Sequence, residues 1–125
     1  MLLFATAEDD RNKVVSATAQ VEARSAVCRL RKAKSITPAE ATMAIDAIAA
    51  ESRRMIEQPI NPQVIEAANI LVDRHHLRAM DAIQLGSAII ARDLLAAPTM
   101  RFIVSDIELR AAATAEGFDT WDPTD

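Results

Sequence analysis

Short apolar runs alternate with longer helical stretches along this chain, and this alternation constrains the fold more than any other feature. The runs suited to β-strands lie at 13–17, 55–60, 102–104 and 118–121. The stretches with helical periodicity or capping signals lie at about 18–34, 37–54, 61–74, 79–94 and 107–116. Strands separated by helices favour an α/β domain with a mainly parallel sheet.

Local signals mark the ends of several predicted helices. The segment 37–40 (Thr-Pro-Ala-Glu) is a capping box with proline at the first helical position. Asn61-Pro62 repeats the combination of a cap and a proline, and Gly117 suits the residue that follows the last helix. Thr18 or Ser16 is expected to cap the first of these helices.

The composition excludes several classes of protein. Hydrophobic residues make up 50% of the chain and charged residues 26%, which excludes a disordered tail. The net charge of −4 weighs against a broad phosphate-neutralising surface, and the aromatic content of 3% weighs against stacking on bases. The single Cys28 excludes an intrachain disulfide and a Cys-based zinc site. With 125 residues and no run of 18 apolar ones, we expect one cytoplasmic domain without a membrane segment.

Three carboxylates lie where sites form in open parallel sheets, beyond the carboxyl ends of strands or in the first turn of a helix. Asp106 follows the run at 102–104, and Asp81 and Glu22 lie in the first turns of their helices. A structural role also explains each of them: a helix cap for Asp106, a dipole partner for Asp81, and for Glu22 either an ion pair with Arg29 or a solvated surface position. From the residues alone these alternatives stay open.

Two other features are explained by structure rather than by chemistry. His75 and His76 are adjacent, so their side chains diverge and a metal ion shared by both is not expected. Gly86-Ser87-Ala88 is expected to permit close packing of its helix, either within the chain or at a dimer face.

Three segments resemble motifs of the PIN-domain ribonucleases, especially the toxins of bacterial VapBC toxin–antitoxin pairs. Residues 15–26 (VSATAQVEARSA) resemble the strand and helix that carry one acidic residue of the family. Residues 77–85 (LRAMDAIQL) resemble its most specific motif, and residues 102–106 (FIVSD) resemble its last motif. The acidic residues of the three segments are, in order, Glu22, Asp81 and Asp106.

The resemblance implies a PIN-like three-layer α/β/α fold with the sheet order 3-2-1-4-5. It implies a metal-dependent endoribonuclease in which Glu22, Asp81 and Asp106 bind Mg²⁺ or Mn²⁺ and act in the cleavage of RNA phosphodiesters. The residues expected to support these ligands or to contact phosphate are Ser105, Arg78 and Arg24. It also implies a toxin that forms a homodimer and is held in check by a cognate antitoxin.

The sequence departs from the resembled family at its N-terminal end. The family has a fourth acidic residue, an Asp on a first, central strand, and no residue of this chain is equated with it. Residues 1–10 are apolar and then acidic, and we interpret them as the back half of the helix that follows that strand. We therefore expect an N-terminally truncated PIN-like domain over 1–125, in which the missing strand 1 leaves two inner edges of the sheet unpaired.

Two alternatives to the nuclease stay open, and this departure motivates the first of them. One is a catalytically impaired PIN remnant that acts as a protein-binding module. The other is a helical interaction module that contains no sheet.

Overall fold

The computed structural model describes residues 3–6, 9–96, 100–104 and 106–122, with side chains from Lys13 onward. In these ranges one sheet is built from five strands: β1 (Leu3–Thr6), β2 (Asp9–Ser16), β3 (Ile56–Gln58), β4 (Met100–Ile103) and β5 (Asp119–Trp121). The helices are α1 (Ala19–Lys32), α2 (Pro38–Ser52), α3 (Pro62–His75), α4 (Ala79–Leu94) and α5 (Ile107–Ala115). The α/β class predicted from the alternation is confirmed, and the alternative of a helical module without a sheet is wrong.

The sheet has the order β3-β2-β1-β4-β5. β2 pairs with β3 and β4 pairs with β5 in parallel, whereas β1 is antiparallel to both β2 and β4. Among the described strands, four therefore run in one direction and β1 alone runs in the other. Two of the four pairings between described strands are parallel and the two that involve β1 are antiparallel, so the expected parallel pairing is present only at β2–β3 and β4–β5. β3 lies at an edge, as the proline beside it predicted.

The prediction for the N-terminal residues is wrong. Residues 3–6 and 9–10 lie in strands rather than in a helix, and β1 fills the central position that was expected to be missing. Phe4 pairs with Val14 of β2 on one side and with Phe102 of β4 on the other. The physical reason is that an apolar segment at this position satisfies the backbone groups of both inner edges, which are costly to bury unpaired.

The predicted caps are largely present. Thr37 Oγ1 accepts a hydrogen bond from the Glu40 amide, and Glu40 Oε1 accepts one from the Thr37 amide, so the capping box is complete. Asn61 Oδ1 caps α3 by accepting from the Val64 amide at 2.9 Å. Thr18 occupies the N-cap position of α1 but makes no side-chain cap bond there.

Helix α4 lies at the centre of the core. Leu85 and Ala88 of this helix are fully buried, as are Met100 and Phe102 of β4. At Gly86 an added Cβ would lie 3.1 Å from the Val64 carbonyl oxygen and 3.2 Å from the amide nitrogen of the same neighbouring helix α3 at Ala68. Glycine at this position thus allows the two backbones to approach closely, and the packing it serves is internal to the chain.

The sheet is covered on both faces at β2. Successive residues of a strand point to opposite faces, yet Val14 and Val15 are 0% and 2% exposed. Burial on both faces is typical of a strand inside an α/β sheet.

The α1–α2 pair is less buried than the other helices. In this fully described pair, the buried residues are Ala19 and Val27 of α1 and Ala41 and Ser52 of α2. The exposed large apolar side chains of the pair are Val21, Leu30 and Met43.

The ends of α3 and α5 are joined by a charged cluster around Glu116. The Glu116 carboxylate accepts hydrogen bonds from Arg74 Nη1 at 2.7 and 2.9 Å and from His75 Nε2 at 2.7 Å. Arg92 of α4 donates to the Glu116 carbonyl oxygen at 2.8 Å and stacks over the Phe118 ring. His75 thus has the Glu116 carboxylate as its partner.

This cluster predicts a pH dependence of stability. Burial raises the pKa of Glu116, but the hydrogen bonds from His75 and Arg74 outweigh it and hold the pKa below its usual value. As the pH falls through the usual Glu pKa, the unfolded chain therefore binds more protons than the folded one. The contribution of Glu116 to stability is present at neutral pH and is lost in acid, as the pH falls through the lowered pKa of the folded state. Replacing Glu116 with Gln should cost about 1–3 kcal/mol at neutral pH, and the cost should shrink as the pH falls well below the usual Glu pKa, to about pH 2.

Urea unfolding of wild type and Glu116→Gln at the two pH values measures this difference. Glu66→Gln, which changes an exposed carboxylate on α3, is the matched control and should leave stability nearly unchanged. If Glu116→Gln lowers the free energy of unfolding equally at both pH values, the charge of Glu116 does not contribute to stability.

Candidate active site

The three candidate carboxylates lie at one edge of the sheet. β2 ends at Ser16 and leads into α1, whose first turn holds Glu22. β4 ends at Ile103, and Asp106 follows it as the N-cap of α5. Since β2 and β4 run in the same direction, their carboxyl ends lie at the same edge. Asp81, in the first turn of α4, interacts electrostatically with both Glu22 and Asp106.

Burial and mutual repulsion act on these carboxylates. Burial has the largest effect on the pKa of Asp81 and raises it. The charge of Asp106 raises this pKa further, and the charge of Arg78 lowers it by less than these two effects together. Burial likewise raises the pKa of Glu22, and the charge of Asp81 adds to that effect. Like charges held near one another in a partly buried site disfavour ionisation until a cation neutralises them.

The two carboxylate oxygens of Glu22 differ, because only one of them accepts a hydrogen bond from a described residue. Gln84 of α4 donates from Nε2 to Glu22 Oε2, so the described partner of Glu22 is Gln84 rather than Arg29. Glu22 Oε1 is buried and has no hydrogen-bond partner among the residues that the structure describes. A buried carboxylate oxygen without a donor is costly unless something else binds it.

Asp106 has the capping role that was weighed against a catalytic one. Its Oδ1 accepts a hydrogen bond from the Leu109 amide at 2.8 Å. The cap bond uses only one of the two carboxylate oxygens, and the residue is exposed. Capping and metal binding by Asp106 are therefore compatible.

Polar side chains recur every third residue along the first half of α4, at Asp81, Gln84 and Ser87. Gln84 is 4% exposed and Ser87 is fully buried. Ser87 Oγ donates to the Ile83 carbonyl oxygen at 2.7 Å and lies 3.3 Å from Ser16 Oγ at the end of β2. We call Asp81, Gln84 and Ser87 the polar stripe of α4.

Sequence reasoning missed Gln84 as a partner of Glu22. The available signal was the spacing of three polar residues on one face of an otherwise apolar helix. The sequence predicted only a capping role for Ser16. In the structure its hydroxyl lies 3.1 Å from Thr18 Oγ1 and also contacts Ser87 of the polar stripe.

The predicted supporting residues fall in different places. Arg78 is the exposed N-cap of α4 and lowers the pKa of Asp81, so it lies near the site. Arg24 is exposed on α1 and lines a cavity of about 190 Å³ between α1 and α2. Ser105 lies outside the described residues.

The oxygen atoms of the three candidate carboxylates are chemically suited to bind a hard divalent cation. Carboxylate oxygens are the ligands that Mg²⁺ prefers, and the buried Glu22 Oε1 beside Asp81 offers an oxygen without a hydrogen bond. Within the described ranges, however, no three Asp, Glu, His or Cys side chains are close enough to form a complete ligand group. The coupled pair of Glu22 and Asp81 therefore forms the best-defined part of the site.

Comparison with known proteins does not assign a family. No family model matches the chain, and neither the curated proteins nor the solved structures contain a match. Among the described helices, none has the length and apolar content needed to cross a membrane.

Proposed function

We propose that this protein is a metal-dependent endoribonuclease of the PIN class, the toxin component of a type II toxin–antitoxin system. The observation that carries the proposal is the electrostatic coupling of Asp81 to both Glu22 and Asp106 at one edge of the sheet. These are the three positions that the resembled motifs assign to the active site. The strand order 3-2-1-4-5 is a second support, although β1 runs antiparallel to both neighbours where the resemblance implies a mainly parallel sheet.

In this proposal Glu22, Asp81 and Asp106 bind Mg²⁺ or Mn²⁺. When bound, the ion would supply a water of lowered pKa and would neutralise charge on the phosphoryl oxygens. Arg78, beside Asp81, would contact the phosphate of the RNA and draw it towards an otherwise acidic site. Arg24 and Ser105 remain proposed contacts of lesser support.

The proposal includes the biological setting implied by the resemblance. The protein would act in the cytoplasm as a homodimer, with a cognate antitoxin as its inhibitor. No residue of this chain is equated with the fourth carboxylate of the family, and three carboxylates would hold an ion less tightly than four. We therefore expect activity to require high concentrations of Mg²⁺ or Mn²⁺.

The direct test is RNA cleavage by the purified full chain. Incubation with labelled RNA should give discrete products with Mg²⁺ or Mn²⁺ and none with EDTA. Cleavage that persists in EDTA would contradict the metal requirement, and no cleavage at any ion concentration would contradict the nuclease.

The second candidate is a catalytically impaired PIN remnant that binds a partner protein. The observations that favour it are the incomplete ligand group within the described residues and the exposed apolar side chains Val21 and Met43. A stable complex with the cognate antitoxin, formed by a chain that binds no Mn²⁺, would support the remnant over the enzyme.

A further inference from the structure

We propose that Gln84 is a positioning residue that holds Glu22 in the orientation needed to bind the cation. The inference deepens the proposed function and rests on it. Gln84 binds one oxygen of the Glu22 carboxylate and would leave the other available to hold the ion.

The position of Gln84 on α4 supports this role. Gln84 lies three residues after Asp81, so both side chains project from the same face of the helix. One of them interacts with Glu22 through charge and the other through a hydrogen bond. The same helix face therefore carries a candidate ligand and the group that orients a second candidate ligand on α1.

The two oxygens of Glu22 have unequal surroundings. Oε2 accepts the bond from Gln84 Nε2, whereas Oε1 is buried with no donor in the part of the chain that the structure describes. A carboxylate held in this way is fixed in orientation and keeps one oxygen for an ion. Ligating carboxylates in metal sites are commonly held by such hydrogen bonds.

An amide is suited to this position for an electrostatic reason. A Lys or Arg at position 84 would neutralise Glu22 and compete with the cation, and a Glu would repel it. The amide of Gln84 donates a hydrogen bond without a net charge, so it holds Glu22 without competing with the cation for the carboxylate.

Gln84 is also distinguished from its neighbour on the polar stripe. Ser87 bonds to the Ile83 carbonyl oxygen within its own helix. Gln84 reaches from α4 to α1 across 62 positions of sequence, and it is 4% exposed. A buried amide needs a hydrogen-bond partner, and the partner of Gln84 in the structure is Glu22, the candidate ligand.

Mn²⁺ binding by the full chain tests the inference without relying on activity. Free Mn²⁺ is measured by electron paramagnetic resonance during titration of wild type and Gln84→Met. Methionine has a similar length and helix propensity but cannot donate a hydrogen bond. We expect the Kd for Mn²⁺ to rise about tenfold or more.

Gln20→Met is the matched control, because Gln20 is an exposed glutamine on α1 only two residues before Glu22. Its Kd should equal that of wild type. In a Glu22→Ala background, Gln84→Met should cause no further loss, since the residue through which it acts is absent. If Gln84→Met does not fold, Gln84→Asn, whose shorter amide does not reach Glu22, replaces it.

The outcomes separate the two proposals. Wild type that binds Mn²⁺ together with a Gln84→Met variant of equal affinity would overturn the positioning role and leave the nuclease proposal intact. If Gln84→Met reduces the affinity for Mn²⁺ equally in the wild-type and Glu22→Ala backgrounds, the positioning role is also overturned. Wild type that binds no Mn²⁺ would overturn both.

Discussion

Replacing Asp81 with Asn should reduce Mn²⁺-dependent RNA cleavage by about 100-fold or more. Asn keeps the shape of the side chain but removes the charge that a hard cation requires. Stability at neutral pH should be unchanged or slightly higher. The reason is that burial and Asp106 raise the pKa of Asp81, so its charged form is disfavoured in the folded state.

The combination of lost activity with retained stability distinguishes a site residue from a structural one. Asp93→Asn is the matched control, because Asp93 is an exposed carboxylate in the last turn of the same helix. Cleavage rates and urea unfolding curves are measured for both variants. Full activity in Asp81→Asn would remove this residue from the active site.

Truncating Leu85 to Ala should destabilise the protein by about 2–5 kcal/mol. Leu85 is fully buried on α4 and belongs to the core between the helices and β4. A loss of this size is a large part of the roughly 5–15 kcal/mol that stabilises a typical domain.

Leu94→Ala removes the same atoms from the end of the same helix, where the side chain is 72% exposed. It should change stability by no more than about 0.5 kcal/mol. Urea unfolding of the two variants at one pH compares them directly. Similar losses in both would contradict the placement of α4 at the centre of the core.

The helices were predictable because their signals are local. The capping box at Thr37 and the Asn61-Pro62 pair each define a helix start within four residues of sequence. Helix α4 begins and ends where the sequence indicated, at Ala79 and Leu94. No distant part of the chain is needed to fix these boundaries.

The first strand was not predictable for the opposite reason. A short apolar run such as Leu3–Thr6 fits a helix or a buried strand equally well when only its periodicity is considered. Its structure is decided by pairing with β2 and with β4. Tertiary pairing thus overrode the interpretation that the family resemblance had favoured.

The candidate site was partly predictable. Glu22, Asp81 and Asp106 could each be placed from the helix start that holds it, and the resemblance gave the reason to group them in one site. The hydrogen bond from Gln84 to Glu22 could not be foreseen, since it depends on how α1 and α4 meet in the folded chain.

The central position of β1 also affects the order in which the protein can be assembled on the ribosome. β1 can join β2 early in synthesis, but its other edge stays open until β4 emerges, because Leu3 pairs with Ile103. Open strand edges recruit other chains, and pairings between distant segments form slowly. Nascent chains that stop short of β4 should therefore depend on chaperones to escape aggregation.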